Sequence, residues 1–195
     1  DPELLRRHDR PGPPYTSYPT APQFHEGFGA AQLKAAAARS NGSGRPLSLY
    51  IHVPFCASPC FYCGCNRIIT RDYSRGDGYV ARLLVEAERM AALFGPCREV
   101  VQLHFGGGTP NFLSPAQLRD LLAGLRRLFR FSADAGRDIS IELDPRMITA
   151  SQVAELGAMG VNRASLGVQD IDPCVQEAIN RIQPLEQTVQ VINAC

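Results

Sequence analysis

Leu47-Ser48-Leu49-Tyr50-Ile51-His52-Val53 runs straight into Pro54-Phe55-Cys56-Ala57-Ser58-Pro59-Cys60-Phe61-Tyr62-Cys63-Gly64-Cys65. The first seven residues read as a strand, and the remainder as a loop crowded with thiols. The alternation downstream of that loop decides the fold. Tyr79 to Phe94 places Val80, Leu83, Leu84, Ala87 and Ala91 at helical spacing, and Gly95-Pro96 ends that run. Val100 to Phe105 is a second strand, closed by Gly106-Gly107-Gly108-Thr109-Pro110. The next helix opens with Ser114 as cap, Pro115 in the first turn and Gln117 three residues after the cap. Its inner face is Leu118, Leu121, Leu122, Leu125 and Leu128. Ile139 to Leu143 is a third strand, and Thr149 with Gln152 predicts a capping box before a helix over Val153 to Met159, stopped by Gly160. Arg163 to Val168 is the fourth strand. Short strands alternating with helices predict right-handed βαβ units and a parallel sheet, an α/β fold either open or curled into a barrel.

Upstream of the strand the pattern is different. Residues 1 to 25 hold Pro2, Pro11, Pro13, Pro14, Pro19 and Pro22, a density that removes backbone donors and predicts an irregular arm. Phe28 to Arg39 predicts a short helix through its alanine run, and Ser40-Asn41-Gly42-Ser43-Gly44 a flexible loop. Residues 1–45 are thus expected as an arm with a short helix, and 46–195 as the α/β part.

Composition narrows the function classes. A chain of 195 residues with 45% hydrophobic content suffices for one substantial core. Basic and acidic residues number 20 and 19, for a net charge of +1, with no block of like charge suited to nucleic acid or an anionic membrane surface. No apolar run approaches the roughly 20 residues that span a bilayer, and Asp1-Pro2-Glu3 does not begin a signal peptide. A cytoplasmic monomer is expected, with neither nucleic acid nor membrane as partner.

Seven cysteines is an odd count, and four of them fall between Cys56 and Cys65, which is no disulfide framework. Crowded cytosolic thiols point to metal. Cys97, Cys174 and Cys195 stand singly and are expected to be small buried hydrophobes. In the loop, spacings of three and then two residues let three sulfurs reach three corners of a cubane cluster, whereas tetrahedral zinc more often takes two separated Cys-x-x-Cys pairs. A four-cysteine zinc knuckle is the competing reading, with Cys65 as the residue that would complete it. His52 and His104, inside strand segments, are expected as hydrogen-bonded core histidines rather than ligands.

At these residues the sequence resembles the radical S-adenosylmethionine enzymes, whose CxxxCxxC loop holds a 4Fe-4S cluster and leaves one iron for the cofactor. The further Cys65 in Tyr62-Cys63-Gly64-Cys65-Asn66 resembles the form found in the oxygen-independent coproporphyrinogen III oxidase family. So do Arg10-Pro11 to Tyr15-Thr16-Ser17-Tyr18-Pro19-Thr20, Tyr50 to Phe55, Gln102 to Pro110, Ile141-Glu142-Leu143-Asp144-Pro145 and Leu166-Gly167-Val168-Gln169-Asp170. The likeness covers almost the whole chain. It implies a (β/α)6 partial TIM barrel, of which four strands are visible. It also implies a longer enzyme, so the chain is expected to be an N-terminal fragment, inactive alone.

The resemblance implies Cys56, Cys60 and Cys63 as cluster ligands and Cys65 as a non-ligand. Tyr50, Gly107 and Glu142 would contact a first S-adenosylmethionine, and Tyr62, Gly108, Thr109, Gln169 and Arg181 would mostly contact a second. Each has a physical rationale. Glycines after a strand let main chain approach a ligand without Cβ obstruction. Glu142 and Gln169 sit at strand ends on the rim that the cysteine loop shares, where a carboxylate accepts from hydroxyls or an ammonium group and an amide both donates and accepts. Tyr50 could pack on adenine, support the cluster or simply fill core. The implied reaction is oxidative decarboxylation of two propionates of coproporphyrinogen III to vinyl groups, through a 5′-deoxyadenosyl radical, with an electron donor as partner. A related haem chaperone or porphyrin-modifying enzyme is the alternative, against which Cys65 and the Tyr15 to Thr20 arm both count.

Overall fold

The computed structural model describes residues 2–9, 23–94 and 98–195. Gly95, Pro96, Cys97 and the arm motif from Arg10 to Thr20 lie outside the described residues. The chain divides into two compact units, Asp1–Ala36 and Ala37–Cys195.

In the first unit, Pro2–His8 forms a helix, α1, within the stretch expected to be irregular. Pro2 occupies its first turn, where a missing N–H costs nothing, and no proline follows before Pro11. A second helix, α2, spans Ala30–Gly42 and crosses the boundary between the units. The flexible loop expected from Ser40 is thereby corrected. Arg98 donates to Ser40 Oγ at 2.9 Å and Asn41 Oδ1 at 3.2 Å, while Asn41 Nδ2 donates to the Leu93 carbonyl at 2.8 Å, so these polar side chains hold the helix end instead of loosening it.

The second unit is built on strands β1 (Leu47–Val53), β2 (Phe55–Cys56), β3 (Ile68–Ile69), β4 (Glu99–Gly107), β5 (Arg130–Phe131), β6 (Asp138–Leu143) and β7 (Arg163–Leu166). Its helices are α3 (Arg75–Phe94), α4 (Pro115–Leu128), α5 (Ala150–Ala158), α6 (Pro173–Ala178) and α7 (Leu185–Ala194). The main sheet runs β1-β4-β6-β7, with every pairing parallel and the short β5 flanking the start of β4. Long strands thus lie side by side in chain order without reversal, which is the wall of a β/α barrel and not a doubly wound sheet.

Alternation along the strands sorts the two faces. Leu103, Phe105, Ile139, Ile141 and Val53 pack with Leu121, Leu122 and Leu125 of α4, Val80 and Ala87 of α3 and Val153 and Leu156 of α5 into one core. The alternate positions, Ser48, Tyr50 and His52, Gln102 and His104, Ser140 and Glu142, give the opposite face a polar row. Both expected capping boxes form, on Ser114 with Gln117 and on Thr149 with Gln152, and Gly160 ends α5 at φ 95°. Helix α3 begins four residues before the predicted Tyr79. Gly76 makes this possible by leaving room for Gln117, whose Nε2 donates to Asp77 Oδ1 at 2.7 Å. No helix among the described residues is long and apolar enough to cross a membrane.

Candidate functional site

All four long strands end on one side of the sheet, and the segments that leave them enclose a cavity of about 230 Å³. Its wall includes Cys56, Cys60, Cys63 and Cys65 from the loop after β1, Gly107, Gly108 and Thr109 after β4, Glu142 and Asp144 at the end of β6, and Gln169 and Arg181 beyond β7. Tyr62 also lines it.

The cysteine loop is closed at its base by one small ladder. Phe55 and Cys56 pair in parallel with Ile68 and Ile69, and the Ile68 and Thr70 N–H groups donate to the Pro54 and Cys56 carbonyls at 2.7 and 2.9 Å. Inside the loop, Arg67 Nη1 donates to the Cys63 carbonyl at 2.8 Å, and His52 Nε2 bonds the Asn66 carbonyl at 2.8 Å. A loop whose two ends pair in parallel within so short a distance brings Cys56, Cys60 and Cys63 to one wall.

The glycines fit this wall closely. Gly107 lies at φ 118°, the left-handed side of the map that disfavours a side chain. A Cβ on Gly108 would stand 2.8 Å from Cys56 Sγ and 2.7 Å from the Pro54 carbonyl oxygen. Thr109 Oγ1 donates to Cys56 Sγ at 3.4 Å. Burial pushes the Cys56 thiol above its ordinary pKa; the Thr109 hydroxyl and, more weakly, Arg67 counter this, while Cys63 and Cys60 reinforce it.

Across the cavity, Arg181 is buried and reaches Cys60 Sγ at 3.6 Å, Asp144 Oδ2 at 3.4 Å and the Gly167 carbonyl at 3.0 Å. Arg146 clamps the same Asp144 carboxylate, with Nη2 to Oδ2 at 2.6 Å and Nε to Oδ1 at 2.9 Å. Burial alone would push the Asp144 carboxyl up, but Arg146 and Arg181 together hold it below the usual carboxylate range. Glu142 meets His104 Nε2 at 3.3 Å, and His104 Nδ1 bonds Ser140 Oγ at 2.8 Å.

Ten of the eleven predicted site residues and ligands therefore line one cavity: Cys56, Cys60, Cys63, Tyr62, Gly107, Gly108, Thr109, Glu142, Gln169 and Arg181. Tyr50 does not. It lines a neighbouring apolar cavity between β1 and α3, stacked on His104 at 5.9 Å between ring centroids, and reaches the site through the His104–Glu142 pair and through His52, which bonds the Asn66 carbonyl of the cysteine loop. His52 and His104 are hydrogen-bonded as expected, but they stand half-buried on the polar face of the sheet and not in the core, and His52 bonds out to Asn66 of the cysteine loop. The buried placement expected for the isolated cysteines is corrected for two of them. Cys174, in the first turn of the short α6, and Cys195, just after α7, are both exposed in this chain. Among the described residues, no three His, Cys, Asp or Glu side chains close around a single point to hold one metal ion. A cubane makes a different demand, since each thiolate binds its own iron and the sulfurs must surround a body instead of a point. Sequence reasoning missed Asp144, Arg146 and Asn180. Asp144 meets Arg181 and Asn180 meets Pro59 across the fold, with no local pattern, whereas Asp144 and Arg146 form a local pair two residues apart, Asp144 capping the short helix that holds Arg146.

A family model described as the radical SAM superfamily matches residues 50–195. The chain is 50% identical over 194 residues to the oxygen-independent coproporphyrinogen III oxidase of Pseudomonas aeruginosa, covering 100% of this chain and 42% of that protein. It is 46% identical over 190 residues to that of Escherichia coli K12, covering 97% of this chain and 40% of the other. The chain thus spans about two fifths of the length of these curated relatives. A solved structure of the coproporphyrinogen III oxidase from Escherichia coli, described as a radical SAM enzyme, superposes with a TM-score of 0.87 at 44% identity over 100% of this chain and 42% of that one. The parallel wall, the loop of thiols at its carboxyl end and the match from Tyr50 to Cys195 agree, and the chain belongs to the radical SAM superfamily.

Proposed function

We propose that this chain carries the cofactor-activating part of an oxygen-independent coproporphyrinogen III oxidase. The observation that carries the reading is the single cavity in which three thiols face Glu142, Gln169 and Arg181 across a glycine strip. The match at 50% identity to an oxidase of that name spans 194 residues and so includes the segments that build it.

The residues present fit a 4Fe-4S cluster and S-adenosylmethionine. Three soft thiolates suit iron, and the absent side chains of Gly107 and Gly108 let the cysteine loop pack directly on main chain that lines the same cavity. Cys56, Cys60 and Cys63 would hold three irons. Held there, a 4Fe-4S cluster would supply the electron for reductive cleavage of S-adenosylmethionine.

The chain's own residues bind and orient. Gly107 presents main chain to the amino-acid end of the cofactor, and Glu142, its carboxylate steered by His104, accepts from an ammonium or hydroxyl group. Gly108, Thr109, Tyr62, Gln169 and Arg181 line the remaining wall, where a second S-adenosylmethionine would sit. Holding reacting groups in place and excluding water is the protein's share of such chemistry. The substrate is coproporphyrinogen III, two of whose propionates become vinyl groups, with an electron donor as partner and the cytoplasm as the site of action.

The test is anaerobic. A polypeptide carrying this chain at the length of its relatives is reconstituted with iron and sulfide, then incubated with dithionite, S-adenosylmethionine and coproporphyrinogen III. Protoporphyrinogen IX is the expected product. Cofactor cleavage without any change in the porphyrinogen would overturn the substrate assignment.

A further inference from the structure

The cysteine loop is gripped from one side by a segment more than a hundred residues downstream. Three consecutive residues each touch it: the Ile179 carbonyl accepts from the Phe61 N–H at 3.1 Å, Asn180 Nδ2 donates to the Pro59 carbonyl at 2.7 Å, and Arg181 Nη1 reaches Cys60 Sγ at 3.6 Å. Such a grip on Pro59, Cys60 and Phe61 in turn requires a tight turn, because successive residues of a helix or strand point apart.

Asn180 supplies that turn. At φ 55° it is the only non-glycine residue in the left-handed region among those described. Few L-residues tolerate this conformation, and asparagine is one that does. The turn is fixed from behind by buried amides. Gln176 Nε2 donates to the Asp170 and Gln183 carbonyls at 2.8 and 2.9 Å, and its Oε1 accepts from the Gln183 N–H at 2.8 Å. Gln183 Nε2 in turn donates to Thr188 Oγ1 of α7 at 3.0 Å. The grip is therefore anchored in the α6–α7 hairpin and not in the loop itself.

We propose that Asn180 is a positioning residue for the cluster: its amide locks Pro59 so that Cys60 stays against the cavity, and the α6–α7 hairpin thereby sets how firmly the loop keeps iron. This role rests on the cluster reading of the three thiols, but the grip itself exists without metal. A carbonyl oxygen only accepts, so the amide nitrogen must face Pro59, and a carboxylate there would set oxygen against oxygen. Asn180→Asp therefore keeps the shape and removes the donor, while Asn180→Gly keeps the left-handed turn and removes the side chain altogether.

The experiment has two readouts on the whole chain. In the metal-free, reduced protein, alkylation by iodoacetamide is followed peptide by peptide. Cys60, which is only 9% exposed, should react about fivefold faster in Asn180→Asp and Asn180→Gly, the factor that one ordinary hydrogen bond is worth, while the already exposed Cys65 keeps its rate. After anaerobic reconstitution, iron release to a chelator should quicken by a similar factor. A general loosening of the loop would speed Cys56 and Cys63, the half-buried thiols beside it, by the same factor, and equal acceleration at all three thiols would overturn the specific role. Unchanged Cys60 alkylation in both variants overturns the grip. Faster alkylation in a protein whose unsubstituted form assembles no cluster upholds the grip and overturns the cluster reading, and with it the role in iron retention.

Discussion

Gly108→Ala is the most direct probe of the glycine strip. The added methyl carbon would stand 2.7 Å from the Pro54 oxygen, 2.9 Å from its carbonyl carbon and 2.8 Å from Cys56 Sγ. Ordinary carbon contacts need about 3.5 Å or more, so each of these gaps must open by roughly 0.6 Å or more. Pro54 cannot simply retreat, because its carbonyl already accepts the Ile68 N–H at 2.7 Å in the ladder that closes the loop. Nor can Gly108, whose N–H donates to Val53 at 2.8 Å. Overpacking of this kind costs about 1–3 kcal/mol, which for a chain of this size lowers the melting temperature by about 2–12 °C. The sulfur is the softest of the three neighbours and should yield furthest, so iron and sulfide bound per chain after anaerobic reconstitution should fall well below the unsubstituted value. Gly64→Ala, in the same loop with nothing within 4 Å of its Cβ, is the matched control and should be silent. Gly107→Ala should be worse than Gly108→Ala, since it adds a φ of 118° to contacts of 2.9 Å with the His52 ring and the Val53 oxygen. A Gly108→Ala protein that melts and loads iron like Gly64→Ala would refute the steric account.

Asp144→Asn leaves Arg146 and Arg181 facing each other without their carboxylate, and breaking a buried pair of this kind costs about 3–5 kcal/mol. The Asp144 carboxyl is held below its unfolded value, so its stabilisation is complete above about pH 4 and disappears as pH falls through the folded value. The gap in melting temperature between the two proteins should therefore be wide at neutral pH and narrow in acid; a gap that persists in strong acid contradicts the assignment. Cys65→Ser should retain iron whereas Cys56→Ser should lose it, and equal losses in the two would restore the four-cysteine zinc reading. Ser114→Ala removes one half of a capping box and should cost about 1 kcal/mol, seen as a lower melting temperature with unchanged iron loading.

The long elements were legible because each announces itself locally. Ser114 with Gln117 and Thr149 with Gln152 mark helix starts, and β1, β4 and β6 alternate apolar and polar residues over enough positions for the period to emerge. Helix α6 has only six residues, too few for a period, and α7 starts after Pro184 with no side-chain cap. Strands β2 and β3 are two residues each and exist only through each other. Misreading Ser40 and Asn41 as loop had a similar cause, since the partners that make them helical, Arg98 and Leu93, come from distant segments. The same division runs through the site. Residues at strand ends could be placed on a common rim because parallel strands in chain order bring their ends together. The Asp144–Arg181 pair and the Asn180–Pro59 bond could not, because a side chain's partner across the fold leaves no trace in its neighbours along the chain.

That unread pair explains how a small site can suit an inorganic group. Arg146 and Arg181 share a single buried carboxylate, Asp144, so one positive charge is left over, and Arg181 directs it at Cys60 Sγ. In the metal-free chain that excess cation rests on neutral partners, the Gly167 carbonyl and the Gln183 amide oxygen, and burial favours the protonated form of the Cys56 thiol in the same loop. Three thiolates on a doubly positive 4Fe-4S core carry a net negative charge, which would offset that cation where it already lies. Iron binding and proton release are then coupled at the thiols, while the guanidinium stays fixed by Gly167 and Gln183. The scaffold is preorganised for an anionic group, and the segment that aims the charge is the same turn that holds the loop, so charge and geometry at Cys60 cannot be altered independently.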